Sequence, residues 1–304
     1  MPYNIAVLAK QVPDTQNITG EAMKEDGTVN RDALPRIFNP EDLNALEMGL
    51  SIRDEFGGCV TVITMGPPAA AELLREALMR GADHVVLLTD RRFAVADTLA
   101  TAYTLCQAIE TIGDIDIILC GRQAIDGDTA QIGPQVAGKL SVPQITYAEG
   151  VLELGGGGIR AKRNIEGGYE IVEAPLPALL TVTSRANEPR PRRAKLVMRF
   201  KKARTPTEIE RILAENLPDR RYLPPGDSPQ QVIAAMRDKG LLIPEWNVEA
   251  IQADAAQCGF AGSPTRVMNI ERVVLMSTEH DNVEPTRAGV AGLMRKLVEE
   301  HIIG

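Results

Sequence analysis

The chain has 304 residues, and its 44% hydrophobic and 24% charged fractions are typical of a globular protein rather than of a disordered or fibrous one. Its 33 Lys and Arg against 41 Asp and Glu give a net charge of −8, which argues against nucleic-acid binding through overall basicity. No apolar run approaches the length of a membrane span, and no leader pattern opens the chain, so we expect a cytoplasmic protein without a membrane span.

The four cysteines, Cys59, Cys106, Cys120 and Cys258, are widely separated and form no C-x-x-C pair and no Cys/His cluster. This spacing argues against a zinc or iron–sulfur site. Cys59 and Cys120 lie in apolar, strand-like runs. We therefore expect small buried thiols in a reducing compartment rather than a disulfide framework.

Residues 1–150 alternate β-rich runs with helical patterns in the order β-α-β-α-β-α-β. The runs at 60–65 and 115–120 are almost continuously apolar or β-branched, as strands buried on both faces are. This order predicts a parallel sheet flanked by helices, a three-layer α/β fold of the flavodoxin-like or adenine-nucleotide-hydrolase-like kind. The predicted elements are residues 5–8, 41–56, 60–65, 69–80, 84–89, 98–112 and 115–120.

Several of the predicted helix starts carry capping signals. Asn39 precedes Pro40, which suits the first helical position, and two acids follow in the first turn. Asp97 is predicted to cap the helix at 98–112. Asp128 or Thr129 is predicted to cap a further helix after residue 131.

Beyond residue 145 the pattern changes to strands separated by glycine-rich turns, which predict antiparallel hairpins, followed by a last apolar strand at 178–183. The chain is basic from Arg190 and then rich in proline, with isolated helical patterns near 228–239 and 285–301. We therefore expect an α/β domain at 1–190 and, at 191–304, a loop and an extended C-terminal arm that packs on another chain.

Ligands of open parallel sheets bind beyond the carboxyl ends of the strands, where loops lead into helix N-termini. The segments expected at this edge are residues 8–10, 65–68, the loop before residue 97, and 121–129. The last segment could place helix amides against a phosphate, although a plain connecting loop explains the same residues. Asp126 and Asp128 would repel phosphate, and Arg122 is the nearby cation. We therefore expect the acids to hold the shape of the loop or to contact ribose hydroxyls.

For catalysis the sequence offers little. It contains no G-x-S-x-G elbow, no P-loop and no carboxylate pair that stands out from helix surfaces. His84 is assigned a structural role, so any redox chemistry would need a bound cofactor. The basic run at 190–204 is open to three interpretations: a solvated face, a docking loop for an acidic protein partner, or an RNA-binding segment.

Several motifs together resemble the beta subunit of electron-transfer flavoproteins, over nearly the whole chain. The longest is residues 161–172 (AKRNIEGGYEIV), continued by 177–181 (PALLT). Further matches are residues 10–14 (KQVPD), 39–40 (NP), 62–68 (VITMGPP), 81–83 (GAD), 121–131 (GRQAIDGDTAQ) and 262–265 (GSPT). The resemblance implies that the 1–190 domain binds a nucleotide and that the 191–304 arm packs on an alpha subunit.

The implied assembly is a heterodimer whose alpha subunit binds one FAD. The nucleotide of the beta subunit is AMP in a housekeeping branch and a second FAD in a bifurcating branch. Residues 91–101 and 126–134 are similar to the bifurcating versions of these loops. The implied cofactor-binding residues are Leu8, Ala9, Lys10, Asn39, Met65, Gly66, Asp97, Thr98, Thr101, Gly121, Arg122, Gln123, Ala124, Asp128, Thr129, Gln131, Gly133 and Pro134.

The function implied by the resemblance is electron transfer between NAD(H), an acyl-CoA dehydrogenase-type partner and a low-potential carrier such as ferredoxin or flavodoxin. The implied mode of transfer is flavin-based electron bifurcation or confurcation. One alternative is a housekeeping subunit with structural AMP that passes electrons from dehydrogenases to a quinone reductase. Another is a nucleotide-binding regulatory module of the same fold. Residues 187–203 match the loop by which such proteins recognise dehydrogenases, whereas residues 207–247 exceed the usual length of the family and have no inferred role.

Overall fold

The computed structural model describes residues 2–14, 34–226, 228–265 and 283–299. The chain divides into two compact units, Met1–Arg266 and Val267–Gly304. The last residues of the helix predicted at 285–301 lie outside the described ranges. Within those ranges, no helix combines the length and the apolar character that crossing a membrane requires.

The helices and strands of the described residues follow one another in the first unit and end with a single helix in the second. In chain order they are β1 (Tyr3–Leu8), β2 (Gln11–Pro13), β3 (Arg36–Phe38), α1 (Pro40–Phe56), β4 (Gly58–Met65), α2 (Ala71–Arg80), β5 (His84–Leu88), α3 (Thr98–Ile112), β6 (Ile117–Gly121), α4 (Ile132–Leu140), β7 (Gln144–Gly155), β8 (Gly158–Ile165), β9 (Gly168–Pro175), β10 (Ala178–Val182), α5 (Ala194–Phe200), α6 (Pro206–Ala214), α7 (Pro229–Asp238), β11 (Glu245–Trp246) and α8 (Arg287–Glu299).

Most strands of the first unit form one sheet in the order β11-β5-β4-β1-β6-β10-β7-β8-β9. The pairs from β11 to β7 are parallel, whereas β7, β8 and β9 form an antiparallel extension. Strands β2 and β3 pair separately and antiparallel. The predicted fold, a mainly parallel sheet with helices and an antiparallel addition, is thereby confirmed.

Alternating side chains of the central strand supply both faces of the core. Ile5 and Val7 of β1 pack in one apolar cluster with residues of α1 and α2. Ala6 and Leu8 face the opposite cluster, which contains residues of α3 and α4. Because both faces are covered, the polar ends of the strands are left as the place where a ligand can approach the sheet.

Residues 194–265 differ from the extended arm that the sequence predicts. Phe200 and Ile243 belong to the main core, and β11 extends the sheet next to β5. Ile209, Val232 and Met236 form a smaller core between α6 and α7. The compact unit therefore continues past the boundary predicted at residue 190, because apolar residues far apart in sequence share one buried face that no local pattern reveals.

Two prolines of this segment, Pro206 and Pro229, begin helices rather than interrupt them. Pro206 follows Thr205, whose hydroxyl accepts a hydrogen bond from the Glu208 amide in a capping box. Pro229 follows Ser228 in the same way at the start of α7. Proline at the first helical position lacks only an N–H that the helix does not use. The proline-rich composition therefore marks helix starts.

Candidate functional site

A cleft of about 810 Å³ lies where β1, β4, β5 and β6 end, and it is lined by the loops that follow these strands. Its volume falls within the range of roughly 300–1,000 Å³ that is usual for small-molecule sites. Asn39, Gly133 and Pro134 do not line the cleft. The other residues named from the sequence do: Leu8, Ala9, Lys10, Met65, Gly66, Asp97, Thr98, Thr101, Gly121, Arg122, Gln123, Ala124, Asp128, Thr129 and Gln131.

Asn39, directly before α1, is hydrogen-bonded to the loop at 123–125, which lines one side of the cleft. Asn39 makes no side-chain cap to its helix, contrary to the prediction. Its amide nitrogen donates to the Gln123 carbonyl at 2.9 Å, and its amide oxygen accepts from the Ile125 N–H at 3.1 Å. Asn39 is fully buried, so these bonds fix the backbone of the loop at 123–125. Its contribution to the site is therefore indirect.

Glu41 acts on the same loop. Its carboxylate accepts the Gln123 N–H at 3.1 Å and forms an ion pair with Arg122 at 3.2 Å. Glu41 is almost fully buried, whereas the Arg122 side chain is about one-third exposed to the cleft side. The pairing reduces the net charge that Arg122 offers to a ligand.

Asp42 joins the ends of two neighbouring strands at the floor of the cleft. Its carboxylate accepts the Lys10 N–H after β1 and the Gly121 N–H at the end of β6, both at 2.8 Å. Burial raises the pKa of Asp42 to about 7, although these two backbone donors oppose the increase. The cleft floor therefore contains a carboxyl group that titrates near neutral pH.

Two glycines of the site serve packing within the protein. A Cβ at Gly121 would lie 2.5 Å from the Asp42 carboxylate and 2.8 Å from the α1 backbone. A Cβ at Gly133 would lie 2.6 Å from the Thr181 methyl group. Gly121 is therefore required for the approach of α1 to β6.

The loop between β6 and α4 has an unusual backbone. Asp128 and Ala130 have φ angles of 50° and 52°, and non-glycine residues in this region cluster at functional sites. Gln131, without a side-chain cap, precedes α4, so the predicted cap by Asp128 or Thr129 is wrong. Asp128 instead accepts from the Gln123 side chain at 3.0 Å. The preference of Asp and Thr for helix N-caps suggested a cap. In the structure, Asp128 has a positive φ angle and its side chain contacts Gln123 instead.

The backbone of this loop offers hydrogen-bond donors to the cleft. Within the described part of the chain, the N–H groups of Thr129, Ala130 and Gln131 donate to no protein acceptor. They come directly before the N-terminus of α4, where the helix dipole favours negative charge. Such consecutive free amides suit phosphate oxygens.

The loop between β5 and α3 forms the opposite wall. Asp97 caps α3 through a 3.0 Å hydrogen bond from the Ala100 N–H, as predicted. Although partial burial opposes the change, backbone donors including Ala100 and Thr265 lower the pKa of Asp97.

Thr98 donates to the Gln131 side chain at 2.8 Å, which joins the two loops across the cleft. The wall itself is apolar, with Phe93, Ala94, Val95 and Ala96.

Charges in the cleft are largely paired. Lys10 contacts Asp126 at 2.6 Å, and Arg92 beside the wall holds the pKa of Asp90 down at about 2. Arg91 also lines the cleft, and within the described residues it forms no ion pair. The described residues contain no cluster of His, Cys, Asp and Glu that could bind a metal ion. Backbone donors, a cation and an apolar wall thus lie together around one cleft.

A model of the electron transfer flavoprotein domain matches residues 26–208. The chain is 39% identical to the electron transfer flavoprotein subunit beta of Clostridium acetobutylicum over 300 residues, which cover 99% of this chain and 100% of that one. The chain belongs to the electron transfer flavoprotein family. The chain is also 38% identical to the caffeyl-CoA reductase-Etf complex subunit CarD of Acetobacterium woodii, over 98% of this chain and 99% of that one. It is 39% identical to protein FixA of Azorhizobium caulinodans, over 88% of this chain and 83% of that one.

These alignments also change the interpretation of residues 207–247. The Clostridium relative is covered over its whole length by an alignment that includes 99% of this chain, so the two proteins have similar lengths. The segment that the sequence suggested to be additional is therefore not a departure from relatives of this kind. It folds as α6, α7 and their connections within the first unit.

Some site residues were not identified from the sequence. Glu41 and Asp42 were assigned to the dipole of α1, and Arg91 and the apolar residues 93–96 were not named as site residues. The buried position of Glu41 and Asp42 depends on the approach of α1 to β6, which their sequence neighbourhood does not show. The sequence signal that could have identified them is the position of two adjacent acids directly after Asn39-Pro40, close to a strand end.

Proposed function

We propose that this family member is the nucleotide-binding beta subunit of a two-chain electron transfer flavoprotein and that its cleft binds FAD. The cleft of about 810 Å³ is the observation that carries the proposal. AMP is less than half of an FAD molecule and would leave much of this volume unfilled. The volume lies in the upper part of the range for small-molecule sites, which leaves room for a ligand larger than a mononucleotide.

The two walls of the cleft suit different parts of FAD. The N–H groups at 129–131, which have no protein acceptor within the described residues, offer donors for a pyrophosphate. Arg91, at the start of the opposite wall and without an ion pair among the described residues, adds positive charge. Met65, Pro67 and the apolar wall at 93–96 offer the kind of surface against which a flavin ring packs. When bound, FAD would supply the redox chemistry of the complex.

The residues of the chain bind and orient the nucleotide in this proposal. Asn39, Glu41 and Asp42 hold the backbone of the 121–125 loop through the hydrogen bonds described above. Thr98 and Gln131 keep the two walls together. Asp126 neutralises Lys10, which leaves the amides and Arg91 as the main attraction for phosphate.

We further propose that electrons enter from NADH and leave to two acceptors. These are an acyl-CoA dehydrogenase-type partner and a low-potential carrier such as ferredoxin or flavodoxin. The name of the Acetobacterium relative connects that protein with a CoA-ester reductase, which supports an acceptor of this class. An alpha subunit completes the heterodimer. The four free thiols of the chain fit a reducing compartment such as the cytoplasm.

NADH reduction tests this proposal. The chain is produced together with its partner subunit, purified without oxygen and mixed with NADH. We expect the visible flavin absorbance to bleach, because the cleft-bound FAD accepts electrons from NADH. Absence of bleaching by NADH, with bleaching by a reduced dehydrogenase, would instead show the housekeeping alternative, in which AMP occupies the cleft and electrons pass to a quinone reductase.

A further inference from the structure

The segment at 247–265 lies directly behind the apolar wall of the cleft. Two of its residues contact the beginning of that wall. The Val248 N–H donates to the Asp90 carboxylate at 3.2 Å, and Glu249 forms two hydrogen bonds of 2.6 Å with the Arg92 guanidinium. Asp90 also contacts Arg92 at 2.6 Å. Charge-assisted pairs of this fork-like geometry fix the relative position of two backbones.

A glycine brings the two backbones together in the middle of the wall. Gly259 has a φ angle of +50°, and a Cβ at this position would lie 2.0 Å from the Arg92 carbonyl oxygen and 2.8 Å from that of Ala94. The neighbouring Phe260 N–H donates to the Ala94 carbonyl at 3.0 Å. The close approach is therefore possible only without a side chain at residue 259.

Ser263 connects the far end of the wall to the same segment. Its hydroxyl accepts the Asp97 N–H at 2.8 Å and donates to the Gly259 carbonyl at 2.7 Å. Ser263 is 6% exposed, so water does not replace these bonds easily. The Thr265 N–H in turn donates to the Asp97 carboxylate at 3.0 Å. Asp97 is thus held on both its backbone and its side chain while it caps α3.

The wall that these contacts hold has a strained backbone. Val95 has a φ angle of 59°, which is a genuine outlier for a β-branched residue, and its side chain is 78% exposed. A residue keeps such a conformation only where its surroundings determine it. Contacts at Arg92, Ala94 and Asp97 surround Val95 on both sides along the chain. The segment behind the wall therefore imposes the conformation.

We propose that residues 247–265 form a clasp that sets the shape of the 90–97 wall, and that Ser263 is a positioning residue for the flavin part of the nucleotide. The proposal rests on FAD binding in the cleft. Ser263 does not line the cleft and acts through Asp97 and Gly259. Loss of its hydroxyl leaves the partly buried Asp97 N–H without this acceptor and frees the wall to relax. The wall lies opposite the amides at 129–131, so FAD, which spans both walls, depends on it more than AMP does.

The test uses the full chain, purified with its partner subunit, after the nucleotide of the cleft has been removed. FAD and AMP are titrated separately into the wild type, Ser263→Ala and the control Ser228→Ala. Ser228 caps α7 in another part of the first unit. For Ser263→Ala we expect the Kd for FAD to rise about tenfold, because the partly buried Asp97 N–H loses its hydrogen bond and the wall relaxes. The Kd for AMP should rise less than about threefold. Ser228→Ala leaves both constants unchanged.

A second variant covers the case in which Ser263→Ala does not fold. Glu249→Gln weakens the exposed ion pair with Arg92. It should raise the Kd for FAD more than the Kd for AMP, as Ser263→Ala does, but by a smaller factor. Equal weakening of FAD and AMP, or an unchanged Kd for FAD in both variants, would overturn the clasp. Wild-type protein that binds AMP more tightly than FAD would overturn the proposed cofactor instead, so the two failures are distinguishable.

Discussion

Asp42 is the residue in which packing and function are most closely connected. It is buried, it receives N–H donors from Lys10 and Gly121, and it lines the cleft. Its pKa is raised to about 7 from 3.8 by burial. The folded state binds the Asp42 proton more tightly than the unfolded state does. The contribution of this group to the free energy of unfolding is therefore largest below about pH 4, and it is lost as the pH rises toward 7.

We therefore predict a pH-dependent difference between the wild type and Asp42→Asn. Because asparagine resembles the protonated acid, the stability of the variant relative to the wild type should increase between pH 5 and 7. The limiting slope for one group is about 1.4 kcal/mol per pH unit. Urea unfolding at several pH values measures it. Asp83→Asn, at a partly exposed position, serves as the control. Parallel pH profiles for the wild type and Asp42→Asn would contradict a buried carboxyl with a raised pKa.

At the scale of elements, the sequence predicts those whose patterns are local. The helix α3 begins and ends at the predicted residues, and Asp97 caps it. The loops after β1, β4, β5 and β6 meet at one edge because parallel strands place their carboxyl ends together. The roles of Asn39 and Asp128 were not predictable. The Asn39 side chain bonds to a backbone that tertiary packing brings near, and the Asp128 side chain bonds to Gln123 of its own loop. Neither side chain caps the helix that follows it in sequence.

The structure of the basic segment at 190–204 differs from the loop that the sequence predicts. It contains the helix α5 where a loop was expected. Arg190 is bound to Glu47 and Asp54, and Arg204 to Asp219, so these cations are already paired. Arg192 and Arg193 are exposed beside α5. The docking interpretation, which remains a proposal, is thereby narrowed to these arginines and the lysines that follow.

Charge reversal tests this docking surface. We expect Arg192→Glu with Arg193→Glu to slow electron exchange with an acidic dehydrogenase partner, and to do so more at low salt than at high salt, because exposed charges are screened by salt. Arg36→Glu with Lys139→Glu changes the net charge by the same amount at exposed positions away from α5 and serves as the control. Equal rates for the two double variants at every salt concentration would leave only a solvated basic face.

At the scale of the whole molecule, the helices and strands of residues 1–190 were more predictable than the packing of residues 191–265. In the second part, the helix predicted at 228–239 is present as α7, but its place in the first unit was not foreseen. The first part contains continuous apolar runs with regular spacing, so its elements could be identified one by one. The second part joins the first through single buried residues such as Phe200, Ile243 and Cys258, which lie far apart in sequence. Its contribution to the cleft, through Ser263 and Gly259, depends on those long-range contacts.

FAD binding in the cleft is tested most directly by the number and identity of nucleotides in the purified two-chain complex. Nucleotides are released by denaturation, separated by chromatography and counted against protein. We predict two FAD molecules per heterodimer, one from each subunit. One FAD together with one AMP, or a cleft without any nucleotide, would contradict it.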